Sequence, residues 1–262
     1  MSTVGSITKP LADISVLVTR PVDQSVRLTQ RLQDLGAEVI AFPALAIIGP
    51  QRPEVLNQHL TEIDYYDWAV FVSPTAVQFG LAALRQIAPA SIAKINAAAV
   101  GAGTEGALRR AGCNNVIVSE PGADSEDLLA LPEFIDLTGR RVLILRGEGG
   151  RELIADTLRA RGAQVEYAEC YRRVCPATDP APLVAALAAH RIQAVTAFSS
   201  ETLDNLLQLC DSAATALRAL PLFVPHRRIA EHAKALHFSF PIATAPGESG
   251  VVAGLVEYFH HD

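Results

Sequence analysis

The stretch VLILR at Val142–Arg146 repeats the stretch VLVTR at Val16–Arg20, 126 positions earlier in the chain. Each is a short apolar run that ends at an arginine, a pattern typical of a buried strand. Four further matches occur at the same offset without a gap: Gly36–Val39 with Gly162–Val165, Pro50 with Pro176, Ser73 with Ser199, and Glu105–Ala107 with Glu231–Ala233. Chance similarity among α/β segments is the alternative, but five matches in one register favour an internal duplication.

Both repeats alternate short apolar runs with segments of helical period. The runs that predict strands are SVLVT, EVIAF, WAVFVS, NAAAV and NVIV in the first repeat, and RVLIL, QVEYA, AVTAFS, PLFV and PIATA in the second. Helices are predicted at 23–35 and 150–161, each ended by a glycine, Gly36 or Gly162, that tolerates a left-handed backbone. This alternation predicts two similar α/β units with mostly parallel sheets. Pro43 and Pro176 interrupt the pattern and are the predicted crossing points between the units.

The loop after VLILR has the sequence RGEGGREL. Glycine-rich turns between a strand and a helix often bind anions through free backbone N–H groups. A phosphate loop requires Lys and Ser or Thr after its last glycine, whereas Arg151 and Glu152 follow Gly150 here. Two interpretations therefore remain, an anion-binding loop or a structural turn in which arginine and glutamate pair. The second is slightly favoured.

The bulk composition excludes several classes of protein. The chain has 262 residues, of which 50% are hydrophobic and 19% charged, and this is typical of a globular protein. A net charge of -6 argues against a nucleic-acid partner. No apolar run is long enough for a membrane span, and the first residues lack the pattern of a signal peptide, so a cytoplasmic location is expected. The four cysteines, without CxxC spacing, favour free thiols over a metal site or disulfides.

Gly101, Gly103 and Gly106 form a GxGxxG motif between a predicted strand and a predicted helix, with Glu120 nineteen residues after Gly101. This spacing fits a dinucleotide-binding fingerprint. However, the motif follows the third strand of its repeat instead of the first, and the equivalent segment near His226 has no glycine. A tight turn at a helix start is therefore the favoured interpretation.

Ser73 and Ser199 both stand where a predicted strand ends and a helix begins. Each is predicted to be a helix N-cap, with Pro74 in the first position of one helix and Glu201 in the first turn of the other. Strand ends of this kind are also where open α/β sheets bind ligands. Neither serine has the GxSxG context of a nucleophile elbow.

Tyr171, in the sequence AECYRR, is predicted from its context to be a packing aromatic more readily than a catalytic phenol. The arginines Arg146, Arg151, Arg172, Arg173, Arg227 and Arg228 fit solvated surface charge equally well. The seven histidines lack metal-ligand spacing.

Taken together, these motifs resemble the uroporphyrinogen-III synthase family over nearly the whole chain. The segments that carry the resemblance are VLVTRP at Val16, GAEVIAFP at Gly36, FVSPTAV at Phe71, AVGAGTEGALRRAG at Ala99, RGEGGRELIADTLRARGAQV at Arg146, YRR at Tyr171, FSSETLDNL at Phe198 and RIAEHAKALHF at Arg228. Two positions depart from the family pattern. Thr75 stands where asparagine is frequent, and Pro225, His226 and Arg227 replace a glycine-containing turn.

The resemblance implies two similar parallel-sheet α/β domains joined by a two-stranded linker, with the active site in the inter-domain cleft. Residues 1–43 and 173–262 would form one discontinuous domain, and residues 44–172 an inserted domain with linker strands at both ends. The implied reaction closes the linear tetrapyrrole hydroxymethylbilane to uroporphyrinogen III, with inversion of ring D and loss of water, in haem and sirohaem biosynthesis.

The resemblance also implies roles for single residues. Tyr171 is the expected catalytic residue. The residues expected to bind substrate are Arg20, Ser73, Thr75, Ala76, Gly101, Thr104, Ser199, Ser200 and Arg228. Neither a metal nor an organic cofactor is expected. The protein is expected to act as a monomer on a small-molecule substrate, with a transient contact to hydroxymethylbilane synthase and with no nucleic-acid or membrane partner.

Two other functions stay open from the sequence. A nicotinamide-dependent oxidoreductase would bind NAD or NADP at Gly101–Gly106. A two-domain sensor would close on its ligand without converting it.

Overall fold

A computed structural model describes residues 9–119, 125–150 and 152–260. Its contacts divide the chain into two compact units, which we call the first unit, Met1–Ala46 with Val174–Asp262, and the second unit, Ile47–Arg173. The strands are β1 (Ser15–Val18), β2 (Glu38–Ala41), β3 (Ala46–Ile48), β4 (Trp68–Phe71), β5 (Asn96–Ala99), β6 (Asn115–Val118), β7 (Arg141–Gly147), β8 (Gln164–Val174), β9 (Ala194–Thr196), β10 (Pro221–Val224) and β11 (Phe240–Ala243). The chain passes from one unit to the other within β3 and β8.

The helices alternate with these strands, and short 3-10 turns complete the described segments. They are α1 (Val22–Asp34), α2 (Pro53–Thr61), α3 (Pro74–Ile87), α4 (Ala102–Arg110), α5 (Ser125–Leu129), α6 (Leu153–Ala160), α7 (Ala181–Ala188), α8 (Ser200–Leu209), α9 (Ala214–Arg218), α10 (Arg227–Ala235) and α11 (Gly247–His260). No helix in the described segments is long and apolar enough to cross a membrane.

The first unit contains a five-stranded sheet in the order β11-β10-β9-β1-β2, with every neighbouring pair parallel. Alternate residues of a strand face opposite sides of a sheet. Accordingly, Leu17 packs with α7, α8 and α10 on one face, whereas Val16 and Val18 pack with α1 and α11 on the other. Both faces are covered by helices, which explains why Val16, Leu17 and Val18 of β1 are all apolar.

The second unit contains a six-stranded sheet in the order β3-β8-β7-β4-β5-β6. The pairs from β8 to β6 are parallel. Leu143 and Leu145 of β7 face α2, α3 and α4, and Val142 and Ile144 face α5 and α6. The described part of the chain therefore forms α/β units with parallel sheets, as predicted.

The predicted duplication is visible in the order of the strands. Arg141, which begins β7, lies 126 positions after Ser15, which begins β1, and Gln164 of β8 lies 126 positions after Glu38 of β2. The first-unit order β11-β10-β9-β1-β2 corresponds strand for strand to β6-β5-β4-β7-β8 of the second unit. Apart from β3, which has no counterpart in the first unit, each unit thus combines two strands of one repeat with three strands of the other.

Two predicted helix ends are confirmed by the backbone. Gly36 and Gly162 have φ angles of +98° and +91°, in the region that side chains rarely adopt. A Cβ atom at Gly162 would also lie 2.9 Å from the Cα atom of Thr138. The predicted start of the second helix at Gly150 is wrong, because α6 begins at Leu153 and Gly149 and Gly150 belong to the loop that follows β7.

Candidate active site

Each sheet has a topological switch point, where the order in which successive strands are added changes from one side of the sheet to the other. In sequence order within a unit, the strands of the first unit follow the order 2-1-3-4-5, and the reversal falls between β1 and β9. In the second unit the corresponding point falls between β7 and β4. Open α/β sheets bind ligands at the carboxyl ends of the strands that flank such a point. A ligand is therefore expected beside the residues that follow these four strands.

A cavity of about 390 Å³ lies at this position in the second unit. Its lining includes Ser73 after β4, the loop that follows Arg146 at the end of β7, and three side chains of β8. The lining residues include Ser73, Arg146, Gly147, Tyr167, Tyr171 and Arg173. The cavity is thus formed where the sheet order predicts a ligand.

Tyr171 and Ser73 meet in this cavity. The Tyr171 hydroxyl lies 3.3 Å from Ser73 Oγ, and either oxygen can be the donor. The Tyr171 ring is only 3% exposed and packs 5.8 Å from the ring of Phe79, between centroids. A Cβ atom at Gly147 would lie 2.6 Å from this ring, so only glycine leaves room for it. The phenol therefore packs as the sequence context suggested and also presents its hydroxyl to a neighbouring hydroxyl.

Ser73 is the N-cap of α3, as predicted. Its Oγ accepts a hydrogen bond from the backbone N–H of Ala76 at 3.1 Å, and Pro74 occupies the first helical position. Ala76 is buried, and Thr75 is half-buried in the same turn. Ser73 holds the helix start and borders the cavity at the same time.

The glycine motif lies one strand away from the reversal, at the end of β5. Gly101 has a φ of +80° and caps α4, and the Thr104 hydroxyl is buried and donates to the Val100 carbonyl at 2.9 Å. A Cβ atom at Gly103 would lie 3.6 Å from Pro74, so the starts of α3 and α4 adjoin. Glu120, the predicted acidic partner of the motif, lies outside the described residues. A tight turn at a helix start accounts for this geometry.

Arg146 is the residue of this site that sequence reasoning did not select. Its side chain is 8% exposed, its Nη1 lies 3.0 Å from Glu152 Oε1, and its guanidinium lies 4.2 Å from the centre of the Tyr167 ring. The Tyr167 hydroxyl donates a hydrogen bond to the same carboxylate. These contacts agree with the predicted pairing of arginine and glutamate in the glycine loop. Arg151, the second arginine of that loop, lies outside the described residues.

The charge of Glu152 is stabilised by the same two neighbours. The hydrogen bond from Tyr167, and then that from Arg146, hold the pKa of the Glu152 carboxyl below its ordinary value. Burial and the adjacent carboxylate raise the pKa of the Tyr167 phenol. Glu152 is consequently ionised at neutral pH, and Tyr167 remains a hydrogen-bond donor.

Arg20 of the first unit has a similar environment. Its Nη1 lies 2.6 Å from Glu248 Oε1, and its guanidinium lies 4.5 Å from the centre of the Phe198 ring. Burial lowers the pKa of Arg20 from its ordinary value. Arg146 lies 126 positions after Arg20, so the internal repeat was the signal that could have selected it from sequence.

Ser199, Ser200 and Arg228 follow β9 and β10, which are adjacent parallel strands of the first unit. Ser199 is the N-cap of α8, as predicted, and accepts from the Thr202 N–H at 3.1 Å. Ser200 is half-buried at the first position of that helix, and Arg228 is exposed in the first turn of α10. All three residues therefore lie at the carboxyl-end edge of the first sheet.

Comparison with known proteins identifies the family of this chain. Residues 26–253 match the model of a protein family described as uroporphyrinogen-III synthase HemD. The chain belongs to the uroporphyrinogen-III synthase family. It is accordingly an enzyme, a cyclising lyase of tetrapyrrole biosynthesis, and the predicted resemblance is confirmed.

Individual relatives agree with this assignment. The chain is 36% identical over 197 residues to the uroporphyrinogen-III synthase of Escherichia coli K12, an alignment that covers 75% of this chain and 80% of the relative. It is 35% identical over 161 residues to the Proteus mirabilis protein of the same name, across 62% of this chain and 81% of the relative.

Two solved structures share the fold. The uroporphyrinogen-III synthetase of Helicobacter pylori superposes with a TM-score of 0.61 at 14% identity, covering 94% of this chain and 99% of that one. A mutant uroporphyrinogen III synthase of Thermus thermophilus gives a TM-score of 0.57 at 18% identity, covering 95% and 100%.

Proposed function

We propose that the chain converts hydroxymethylbilane to uroporphyrinogen III, with inversion of ring D and loss of one water. The observation that supports this most is the pair of hydroxyls of Ser73 and Tyr171, 3.3 Å apart, beside a cavity at the strand-order reversal of the second unit. In a family of cyclising lyases, a hydroxyl pair at this place fits an elimination of water that needs no strong base.

The chemistry needs little acid or base catalysis. The pyrrole nitrogen supplies the electron pair that expels the terminal hydroxyl, which leaves as water after it takes up a proton. Tyr171 donates a hydrogen bond to the departing oxygen. A phenol suits this role, because it is a weaker nucleophile toward the resulting azafulvenium cation than a carboxylate or a thiolate.

The harder task is control of conformation. The substituted carbon of ring D attacks the cation to give a spiro intermediate. The older bond from this carbon to the methylene of ring C then breaks, and that methylene bonds to the unsubstituted α carbon of ring D, which inverts the ring. A final loss of one proton restores the pyrrole and balances the proton taken up earlier. Because closure without the enzyme yields the uninverted isomer, the protein acts mainly by orientation.

The substrate carries eight carboxylates, which require many donors. Hydroxyls, arginines and the backbone N–H groups of helix starts provide them. The residues that we assign to substrate binding are Arg20, Ser73, Thr75, Ala76, Gly101, Thr104, Ser199, Ser200 and Arg228. Of these, Ser73 and Ser199 combine the N-cap role with a position at the edge of a sheet. The Thr104 hydroxyl already donates to Val100, so it would accept from a pyrrole N–H of the substrate and would not bind a carboxylate.

We also place the enzyme in the cytoplasm as a monomer that receives its substrate through transient contact with hydroxymethylbilane synthase. The thiols support a reducing compartment, because all four cysteines are free. Burial raises the pKa of Cys170 to about 12 and that of Cys113 to about 11, which makes both thiols unreactive.

Incubation of the purified protein with freshly generated hydroxymethylbilane tests the proposed reaction. After oxidation, the I and III isomers of the porphyrin are separated by chromatography. A preparation that gives the III isomer in excess over a protein-free control supports the proposal. Equal isomer ratios with and without protein would contradict it.

A further inference from the structure

Arg146 is held in the cavity of the second unit by contacts that do not satisfy all the hydrogen-bond donors of its guanidinium. Its side chain is 8% exposed, and its Nη1 is paired with Glu152. An arginine carries five N–H donors. Among the described residues, the buried Nε has no acceptor at all. A buried charged donor without an acceptor is unfavourable, so the free chain leaves this guanidinium incompletely bonded.

The glycine loop lies against this guanidinium. A Cβ atom at Gly150 would lie 3.4 Å from both Cζ and Nε of Arg146, at the lower limit of ordinary van der Waals contact. Gly149, with a φ of +69°, provides the left-handed turn before it. The two glycines therefore keep the loop narrow beside Arg146, and all three residues border the cavity.

The internal repeat gives independent support. Arg20, at the equivalent position of the first unit, also pairs with a glutamate and also lies over an aromatic ring. The rings come from different places, Phe198 after β9 and Tyr167 in β8, and so do the glutamates. A stacked and paired arginine is thus found at the carboxyl end of both strands that begin a repeat, although its partners are not related by the duplication.

We propose that Arg146 binds a carboxylate of the tetrapyrrole in this cavity, with Glu152 and Tyr167 as positioning residues. The inference rests on the proposed function for the identity of the ligand. The planar guanidinium matches a carboxylate in geometry and charge. The cavity, about 390 Å³, lies at the small end of ligand pockets, which span roughly 300–1,000 Å³. It therefore suits one pyrrole ring with its two acidic side chains.

Glu152 makes the proposal distinguishable from a purely structural ion pair. Its carboxylate is ionised, half-exposed and bonded to Arg146 and Tyr167, so it repels an incoming carboxylate while it orients the guanidinium. Glu152→Gln keeps a side-chain oxygen that can accept from Arg146 but removes the repelling charge, so it should leave substrate affinity equal or stronger. Loss of Arg146 should weaken it.

The test uses the full chain with the variants Arg146→Gln, Arg146→Lys and Glu152→Gln. Arg159→Gln is the matched control, because Arg159 lies 5.4 Å from the centre of the same Tyr167 ring but is not part of the cavity lining. For each variant, KM and kcat are measured with fresh hydroxymethylbilane, together with the isomer ratio and the melting temperature. The Kd for uroporphyrinogen III is measured separately by anaerobic equilibrium dialysis.

We expect Arg146→Gln to raise KM and Kd by about ten- to a hundredfold, the range for a lost hydrogen bond to a charged group. The change in kcat should be small, and the product should stay the III isomer. Arg146→Lys should weaken binding less, because lysine retains the positive charge but cannot make the two parallel hydrogen bonds of a guanidinium to a carboxylate. Glu152→Gln should bind at least as tightly as the wild type, and Arg159→Gln should match it.

An unchanged KM and Kd in Arg146→Gln would overturn the proposal. Equal losses of affinity in Arg146→Gln and Glu152→Gln would also overturn it and leave a structural ion pair. If Arg146→Gln does not fold, the Arg146→Lys and Glu152→Gln variants decide by the same criteria. Failure of the wild type to form the III isomer would contradict the proposed function instead. The Kd values for uroporphyrinogen III would still test whether Arg146 binds a carboxylate.

Discussion

The hydroxyls of Ser73 and Tyr171 lie 3.3 Å apart although the residues are 98 positions apart in the chain. Ser73 is fixed by its N-cap bond to Ala76, and Tyr171 is fixed by its buried ring. The pair is thus rigid on both sides, so a change in either hydroxyl should affect chemistry with little rearrangement of the backbone.

Replacement of Tyr171 by Phe should lower kcat by roughly ten- to a hundredfold, at or below the lower end of the range for general acid catalysis, because the pyrrole supplies most of the driving force. The ring still fills its space beside Phe79 and Gly147, so the melting temperature should stay close to that of the wild type. Turnover of hydroxymethylbilane and thermal unfolding are measured on the same preparation.

Tyr65→Phe is the matched control for this variant, because Tyr65 is 72% exposed in the same unit. Full activity in Tyr171→Phe would assign Tyr171 to packing alone. A loss of activity that appears only with a loss of thermal stability would lead to the same conclusion.

Removal of the N-cap hydroxyls should lower stability in both units. Ser73→Ala and Ser199→Ala should each reduce the free energy of unfolding by about 1 kcal/mol, because each leaves a helix N–H without its acceptor. Ser200→Ala is the control, since Ser200 makes no cap bond in the described structure. Urea unfolding measures all three, and a Ser200 variant as unstable as the two cap variants would contradict the assignment of the caps.

Gly147→Ala should displace the Tyr171 ring, which packs against Gly147. The new methyl group would lie 2.6 Å from the Tyr171 ring, so the ring must shift, at a cost of about 1–3 kcal/mol for overpacking. We expect lower stability together with lower kcat. Gly49→Ala is the control, because nothing lies within 4 Å of a Cβ atom there. Wild-type activity in Gly147→Ala would show that the position of Tyr171 is not critical.

A second polar cluster predicts a pH dependence of stability. Tyr66 donates a hydrogen bond to Glu166, which also faces His59 and Arg141. The bond from Tyr66 lowers the pKa of Glu166, and burial followed by that bond raises the pKa of Tyr66. The contribution of Glu166 is therefore present above its unfolded pKa, near 4.3, and is lost as the pH falls through its lower folded value.

The contribution of Tyr66 has the opposite sign of dependence. It is present below its unfolded pKa, near 10, and is lost as the pH rises through its higher folded value.

We expect Glu166→Gln to lower the melting temperature at pH 7, with the difference from the wild type shrinking toward pH 2. Glu54→Gln, at an exposed position of α2, is the control. A difference that is constant across pH would contradict the role of the Glu166 charge.

The glycine motif at Gly101–Gly106 should bind no nicotinamide nucleotide. It follows β5, one strand away from the reversal at which dinucleotides bind in such sheets. Calorimetric titration with NAD and NADP should give no heat of binding. Micromolar affinity for either nucleotide would favour the oxidoreductase that the motif alone suggests.

Local signals explain which elements the sequence predicts well. The ten predicted strands all occur, because apolar runs between helical segments are typical of strands covered on both faces. The strand β3 was missed because it has only three residues, Ala46–Ile48, and is partly exposed at the edge of its sheet. The helix α6 was extended too far because its glycine loop has no local signal for its own end.

The sequence by itself determined the repeat of 126 positions, the α/β class, the helix ends at Gly36 and Gly162 and the caps at Ser73 and Ser199. The repeat is visible by comparing the sequence with itself, and the other features depend on residues close together in the chain. No local pattern decided that β1 and β2 join the strands of the other repeat, because the pairing partner of a strand is chosen by contacts over the whole chain; before the structure, only the family resemblance implied this grouping. The same long-range packing brings Ser73 to Tyr171 and buries Arg146. An arginine after a strand has the same local sequence whether it lies in solvent or in a cavity, so the neighbouring strands and loop determine its function.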